Sequence, residues 1–201
     1  MRRSTRIALA VAGGLMAMAS AQARDCLLRA GVHNVDPKSK NNAVVSVDSA
    51  ASLTINAGCF VTPNLAIDVL GAVPFKHDIK LVSNGAKVAS TQHLPPTFSL
   101  QYHFAPGAKF DPYVSAGLNY TLFFNKKTTG ALAGTRLSLG NSFGPAAQIG
   151  ADIAIGKDWV MSIDARWMDI DTTAKVNGAS IGSVAIDPLA YGVTFGKRFS
   201  F

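Results

Sequence analysis

An all-β fold is what this 201-residue sequence predicts: an eight-stranded antiparallel up-and-down transmembrane β-barrel with short periplasmic turns and long extracellular loops. Three observations predict it. Eight segments alternate apolar and polar residues with period 2, the pattern of strands whose two faces meet different surroundings. The connections between them alternate between short and long, as in barrels of the outer membrane. The last segment, 189–201, carries Tyr191, Phe195, Phe199 and Phe201 on one face, where a barrel in lipid places interfacial aromatics.

The first 23 residues stand apart. Arg2, Arg3 and Arg6 precede an apolar core over 7–19, and Ala21 and Ala23 supply the small residues a signal peptidase needs. That core is shorter than the roughly 20 residues of a membrane-spanning helix. The expectation is a cleaved signal peptide, 1–23, and one outer-membrane barrel domain, 24–201. The domain sets 16 basic against 12 acidic residues, and every acid is Asp. Without Glu, long surface helices are disfavoured. The basic residues are scattered, so no nucleic-acid partner is expected. No later stretch reaches 18 uninterrupted apolar residues, so lipid must be crossed by strands.

Each strand follows from its own alternation. In 26–32, Cys26, Leu28, Ala30 and Val32 oppose Leu27, Arg29 and Gly31. In 51–62, Leu53, Ile55 and Ala57 oppose Thr54, Asn56 and Phe60. The third, from Leu65, sets Ile67 and Val69 against Asp68 and Leu70. In 97–104, Phe98, Leu100 and Tyr102 oppose Ser99, Gln101 and His103. In 113–123, Val114, Leu118 and Tyr120 oppose Ser115, Gly117 and Asn119. In 147–155, Ile149, Ala151 and Ile153 oppose Gln148, Gly150 and Asp152. In 159–168, Trp159, Ile163 and Trp167 oppose Ser162, Asp164 and Arg166, and the terminal strand completes eight. Turn formers fill 62–64, 105–109 and 156–158, whereas 36–50, 74–92, 125–142 and 172–183 are longer and mostly polar. A soluble lipid-binding barrel would reverse the faces; here the polar face is too sparsely charged to solvate a free protein.

Several motifs in order resemble the OmpW family. They are Arg29-Ala30-Gly31 with Val35-Asp36-Pro37, then Pro74 to Ile79 (Pro-Phe-Lys-His-Asp-Ile), then His93-Leu94-Pro95-Pro96-Thr97. Further on come Pro112 to Tyr120 with Phe123-Phe124, then Met168-Asp169-Ile170-Asp171-Thr172, and Ile186-Asp187-Pro188. The resemblance spans the mature chain. It implies an eight-stranded barrel with a narrow, hydrophobic interior that passes small hydrophobic molecules, and sometimes service as a receptor for phage or bacteriocins. Where that family often has an aromatic pair before the Met-Asp-Ile-Asp motif, this chain has Arg166-Trp167. The residues Thr194 to Phe201 also match an outer-membrane assembly signal, with Thr194, Gly196, Phe199 and Phe201 at its defining positions, and so imply the barrel-assembly machinery as a partner beside outer-membrane lipid.

Parity names the lumen. Arg29, Asp68, His103, Asp152, Asp164 and Arg166 face inward, where buried charges need partners, and Leu27, Phe60 and Leu70 are candidates for an apolar constriction. The inward set reads either as a structural plug or as a selectivity element. Pro95-Pro96 lack backbone donors and must interrupt a ladder, which marks a candidate lateral opening beside Leu94. Cys26 and Cys59 fall opposite each other if pairing residue numbers sum to 85, a candidate disulfide in an oxidising compartment. His77 and His93 could meet over the loops, yet their spacing matches no known metal site, and no serine with an oxyanion-hole motif accompanies His77-Asp78. No enzyme activity, metal or cofactor is expected. The function expected is a narrow, porin-like channel for small hydrophobic solutes in the Gram-negative outer membrane; the alternative is a non-transporting structural barrel or surface receptor.

Overall fold

The computed structural model describes residues 25–38 and 41–200. The expected signal peptide and Phe201 lie outside the described residues. The strands are β1 (Asp25–Asp36), β2 (Val45–Val47), β3 (Ala50–Phe60), β4 (Leu65–Ala72), β5 (Phe75–Leu81), β6 (Lys87–Leu94) and β7 (Thr97–His103), then β8 (Phe110–Thr128), β9 (Leu137–Leu139), β10 (Ser142–Ala154), β11 (Trp159–Met168), β12 (Asp171–Val176), β13 (Ala179–Ala185) and β14 (Leu189–Ser200).

Eight of them close a ring in the order β1-β3-β4-β7-β8-β10-β11-β14, every neighbouring pair antiparallel. The ring closes where β14 returns to β1, from Asp25 opposite Ser200 to Asp36 opposite Leu189. Closure satisfies the backbone donors and acceptors that hydrocarbon cannot. Between β1 and β3, Leu28 meets Ala57, Ala30 meets Ile55 and Cys26 meets Cys59, the register in which numbers sum to 85.

Alternation puts Leu53, Ile55, Leu118, Ile149, Val193 and Phe195 on the outer face, all exposed. A continuous apolar band of this kind belongs in lipid. Aromatics edge it: Phe104, Phe110, Trp159 and Phe199 toward the short turns, Tyr120, Phe143, Trp167 and Tyr191 toward the long connections, all exposed. Trp159 and Trp167 are eight residues apart on β11. At about 3.3 Å per residue and a tilt near 40° this is roughly 20 Å along the barrel axis, close to the band of such barrels.

The connections expected as long polar loops are largely built of strand. The β5–β6 hairpin is joined to β2 on one side and to the upper part of β8 on the other, and β9, β12 and β13 form a separate three-stranded sheet. Together they raise a wall beyond the outer aromatic girdle. The main apolar core sits there, with Val35, Phe75, Val88, Phe123, Met168 and Ile170 buried; the barrel's waist is polar.

Candidate functional site

The lumen is organised around one guanidinium. Arg29 Nη1 donates to Asp152 Oδ1 at 3.1 Å, while Nη2 donates to Asp68 Oδ1 at 3.1 Å and to Gln101 Oε1 at 3.0 Å. All four residues are buried. Each carboxylate has further support: Asn56 Nδ2 donates to Asp68 Oδ2 (3.0 Å), and Ser162 Oγ to Asp152 Oδ1 (2.5 Å). Toward the extracellular side, Gln148 Nε2 donates to Asp164 Oδ1 (2.8 Å), and His33 bridges Asp164 (3.0 Å) and Thr54 (2.7 Å). Arg166 Nη2 stands 3.9 Å from Asp68 Oδ2. Toward the periplasmic turns, the His103 ring lies between Phe60 and Tyr113, with centroids at 4.8 and 5.0 Å, and its Nδ1 is 2.9 Å from Asp111 Oδ2.

Small residues make room for this network. A Cβ on Gly196 would come within 2.6 Å of Arg29 Cγ, and one on Gly150 within 2.5 Å of Tyr113 Cζ. An eight-stranded barrel is only just wide enough for its own side chains, so bulky groups on one strand require absent ones on the next. The outcome is a cross-braced polar plug.

Above the plug the chemistry changes. Thr97, Asn119 and Thr121 form a last polar step, with Asn119 Nδ2 donating to the carbonyl oxygens of Pro95 (3.1 Å) and Pro96 (3.2 Å) and to Thr97 Oγ1 (2.9 Å). Beyond it lies a chamber lined by Val45, Ile79, Val88, Phe123, Leu139 and Val184 among others, with His77 and His93 in the same wall. Its volume is about 40 Å³, room for a few waters at most. Burial lowers the pKa of His77; burial and the neighbouring His77 lower that of His93 to about 3, so both rings are neutral. A larger cleft, about 520 Å³, is lined by polar groups including Asp36, Lys38, Asp48 and Asp187.

A closed eight-stranded barrel with a polar waist and an apolar outer chamber invites comparison with known proteins, and the sequence model of the OmpW family matches residues 18–199. The chain belongs to the OmpW family. It is 37% identical over 213 residues to outer membrane protein W of Escherichia coli (strain K12), covering 99% of this chain and 100% of that protein. It is 30% identical over 161 residues to outer membrane protein AlkL of Ectopseudomonas oleovorans, covering 77% of this chain and 69% of that one. The crystal structure of outer membrane protein OprG from Pseudomonas aeruginosa superposes with a TM-score of 0.79 at 28% identity, over 89% of this chain and 97% of that one. This OmpW-family chain is an outer-membrane barrel, as its outer face requires.

Parity placed Arg29, Asp68, His103, Asp152, Asp164 and Arg166 inside the barrel, and there they meet in one network. Leu27, Phe60 and Leu70 also point inward but do not form one ring. Leu27 lies opposite Gly58 and Arg198, on the periplasmic side of Arg29, and Phe60 lies against His103 and beneath Arg198, whereas Leu70 sits opposite Asn56 and Thr97. Cys26 and Cys59 are joined by a disulfide, with Cα atoms 4.0 Å apart. Of the assembly-signal residues, Thr194 is buried in the lumen, Gly196 lies under Arg29, and Phe199 faces outward with Lys197 Nζ 5.6 Å from its ring centre. Sequence reasoning passed over Tyr113 and Asp111, although both share the inward parity of Ser115. It also passed over the chamber, whose walls lie in segments read as loop.

Around Pro95-Pro96 the ladder is broken on one side only. The β4–β7 pairing ends at Leu70 opposite Thr97, and the β5–β6 pairing begins at Phe75 opposite His93. Among the described residues no backbone hydrogen bond joins 71–74 to 94–96. On the other side the Tyr120 amide donates to Pro96 O at 3.0 Å, and Leu94 pairs with Leu122.

Proposed function

We propose that this barrel binds small, largely apolar solutes and passes them from the extracellular side toward the membrane. A solute enters among the strand-built extracellular connections and rests in the chamber beneath them. The observation that carries this reading is the division of the interior: an apolar chamber directly above a lumen filled by buried ion pairs. An apolar solute gains by leaving water for the chamber. It gains nothing by displacing Arg29, Asp68 and Asp152 from one another, so the downward route through the plug is closed to it.

The exit is then sideways, through the interrupted ladder beside Leu94, Pro95 and Pro96, into the outer-membrane lipid. The chamber must widen to admit a solute, since about 40 Å³ holds only a few waters, and the connections that build it are the elements that move. Replacing Pro95 and Pro96 with Val tests the exit, because Val restores the missing donors. Uptake of a hydrophobic fluorescent probe by cells lacking other routes is expected to fall; unchanged uptake removes the lateral window. The completeness of the plug favours a second reading, a non-transporting surface receptor. It predicts no solute-dependent events in planar bilayers or swelling assays, and no probe uptake in the unmodified protein.

A further inference from the structure

The chamber is not uniformly apolar: the Thr91 and Thr172 hydroxyls in its lining donate to backbone carbonyl oxygens, whereas two histidines there are not satisfied in this way. His77 and His93 stack in its wall with ring centroids 4.7 Å apart and planes 22° apart. Both are at least 97% buried, and among the described residues both Nε2 atoms lack a hydrogen-bond partner. The His77 tautomer is fixed: Nδ1 lies 2.5 Å from the Asp48 carbonyl oxygen, which can only accept, so Nδ1 carries the hydrogen and a neutral ring bears a free lone pair at Nε2. Among the described residues His93 Nε2 has no hydrogen-bond partner, and the ring packs against those of Phe75, His77 and Phe123. A neutral His93 therefore offers one N–H and one lone pair.

Buried polar groups are costly when unpaired, and two in one small chamber mark a place where a ligand's polar atom belongs. We infer that the chamber takes amphipathic solutes carrying one neutral hydroxyl on an apolar body, an alcohol or phenol, with His77 and His93 reading the hydroxyl. A hydroxyl suits the pair because it can donate to the His77 Nε2 lone pair while accepting from the His93 N–H. A pure hydrocarbon leaves both nitrogens unpaired. A carboxylate or ammonium fares worse, since no lining residue is charged and a buried ion without a partner is strongly disfavoured.

This inference rests on the chamber being the solute site, and its test separates the two ideas. The full chain in lipid nanodiscs is titrated with 1-naphthol and with naphthalene, which share an aromatic body and differ by one hydroxyl. Empty nanodiscs correct for partitioning into lipid. The expected result is binding of both, with 1-naphthol about tenfold tighter. In H93F and in H77F that preference is lost while naphthalene binding is kept. H93F breaks no existing hydrogen bond, so it isolates the effect from folding, which heat-shifted gel mobility checks. Equal binding of the two probes by the unmodified protein overturns the histidine assignment and leaves the chamber standing. A preference that survives both substitutions also overturns it. Binding of neither probe removes the chamber reading and this inference together.

Discussion

Replacing Arg29 with Met tests the plug most directly. Arg29, Asp68 and Asp152 have side chains no more than 3% exposed, and Arg29 makes three hydrogen bonds to them and to Gln101. Met fills similar length without charge, so the substitution removes the cation and leaves its partners buried. Those partners do not suffer equally. Among the described residues, Asp68 keeps Asn56 at 3.0 Å and Arg166 at 3.9 Å, whereas Asp152 keeps only Ser162, and its Oδ2 already lacks a partner. Breaking a buried pair from one side costs about 3–5 kcal/mol, and most of that cost should fall on Asp152. R29M is therefore expected to lower unfolding stability by that amount, and adding Asp152→Asn to recover about half of it. Urea or guanidinium titration of the barrel in lipid vesicles, followed by the fluorescence of Trp159 and Trp167, measures both. An R29M barrel within about 0.5 kcal/mol of the original, or a double variant weaker than R29M alone, would refute the account of the lumen as a mutually dependent network.

Other substitutions probe separate features. Cys26→Ser with Cys59→Ser opens a link spanning 33 residues, worth up to about 4 kcal/mol in the chain-entropy model; denaturant midpoints measure the loss, and non-reducing gel mobility with and without thiol reports the bond. Gly150→Ala drives a methyl against the Tyr113 ring and should cost about 1–3 kcal/mol, with Tyr113→Leu in the same chain relieving part of it. His93 has a folded pKa near 3 against an unfolded value near 6.5. Protons then bind the unfolded chain first, and stability is lost as pH falls from about 6.5 toward 3. By pH 5 the loss from this residue is about 2 kcal/mol; H93F should flatten that part of the acid limb, and an unaltered acid limb would contradict the burial of a neutral ring.

The barrel strands were legible because lipid and lumen impose opposite demands on alternate residues. The same parity picks out Arg29, Asp68, His103, Asp152, Asp164 and Arg166 among the charged and ionisable residues of the plug, but not Asp111, which holds His103. The strands above the girdle were hidden because their outer faces meet water, so Lys76, Lys80 and Lys87 blur the contrast. A local signal was nevertheless present. Asn177-Gly178 joins β12 to β13 with φ of 51° and 87°, and Asn84-Gly85 lies between β5 and β6 with Gly85 at 69°; Asn-Gly at such a position is a strong hairpin signature. That Leu27, Phe60 and Leu70 would not share one level was not legible. Parity says which face Leu27, Phe60 and Leu70 share, but height in the barrel depends on register across strands.

The two tryptophans of β11 carry a consequence for the surrounding lipid. A belt roughly 20 Å tall is short against the ~30 Å hydrocarbon thickness of an average bilayer. Acyl chains next to the protein must compress or tilt, at a fraction of a kcal/mol for each ångström of mismatch. The bacterial outer membrane is thinner than average, so this elastic strain is least there. In a mixed bilayer the protein should gather short-chain lipids as its annulus, and thickening the bilayer should drive barrels together to share the deformed ring.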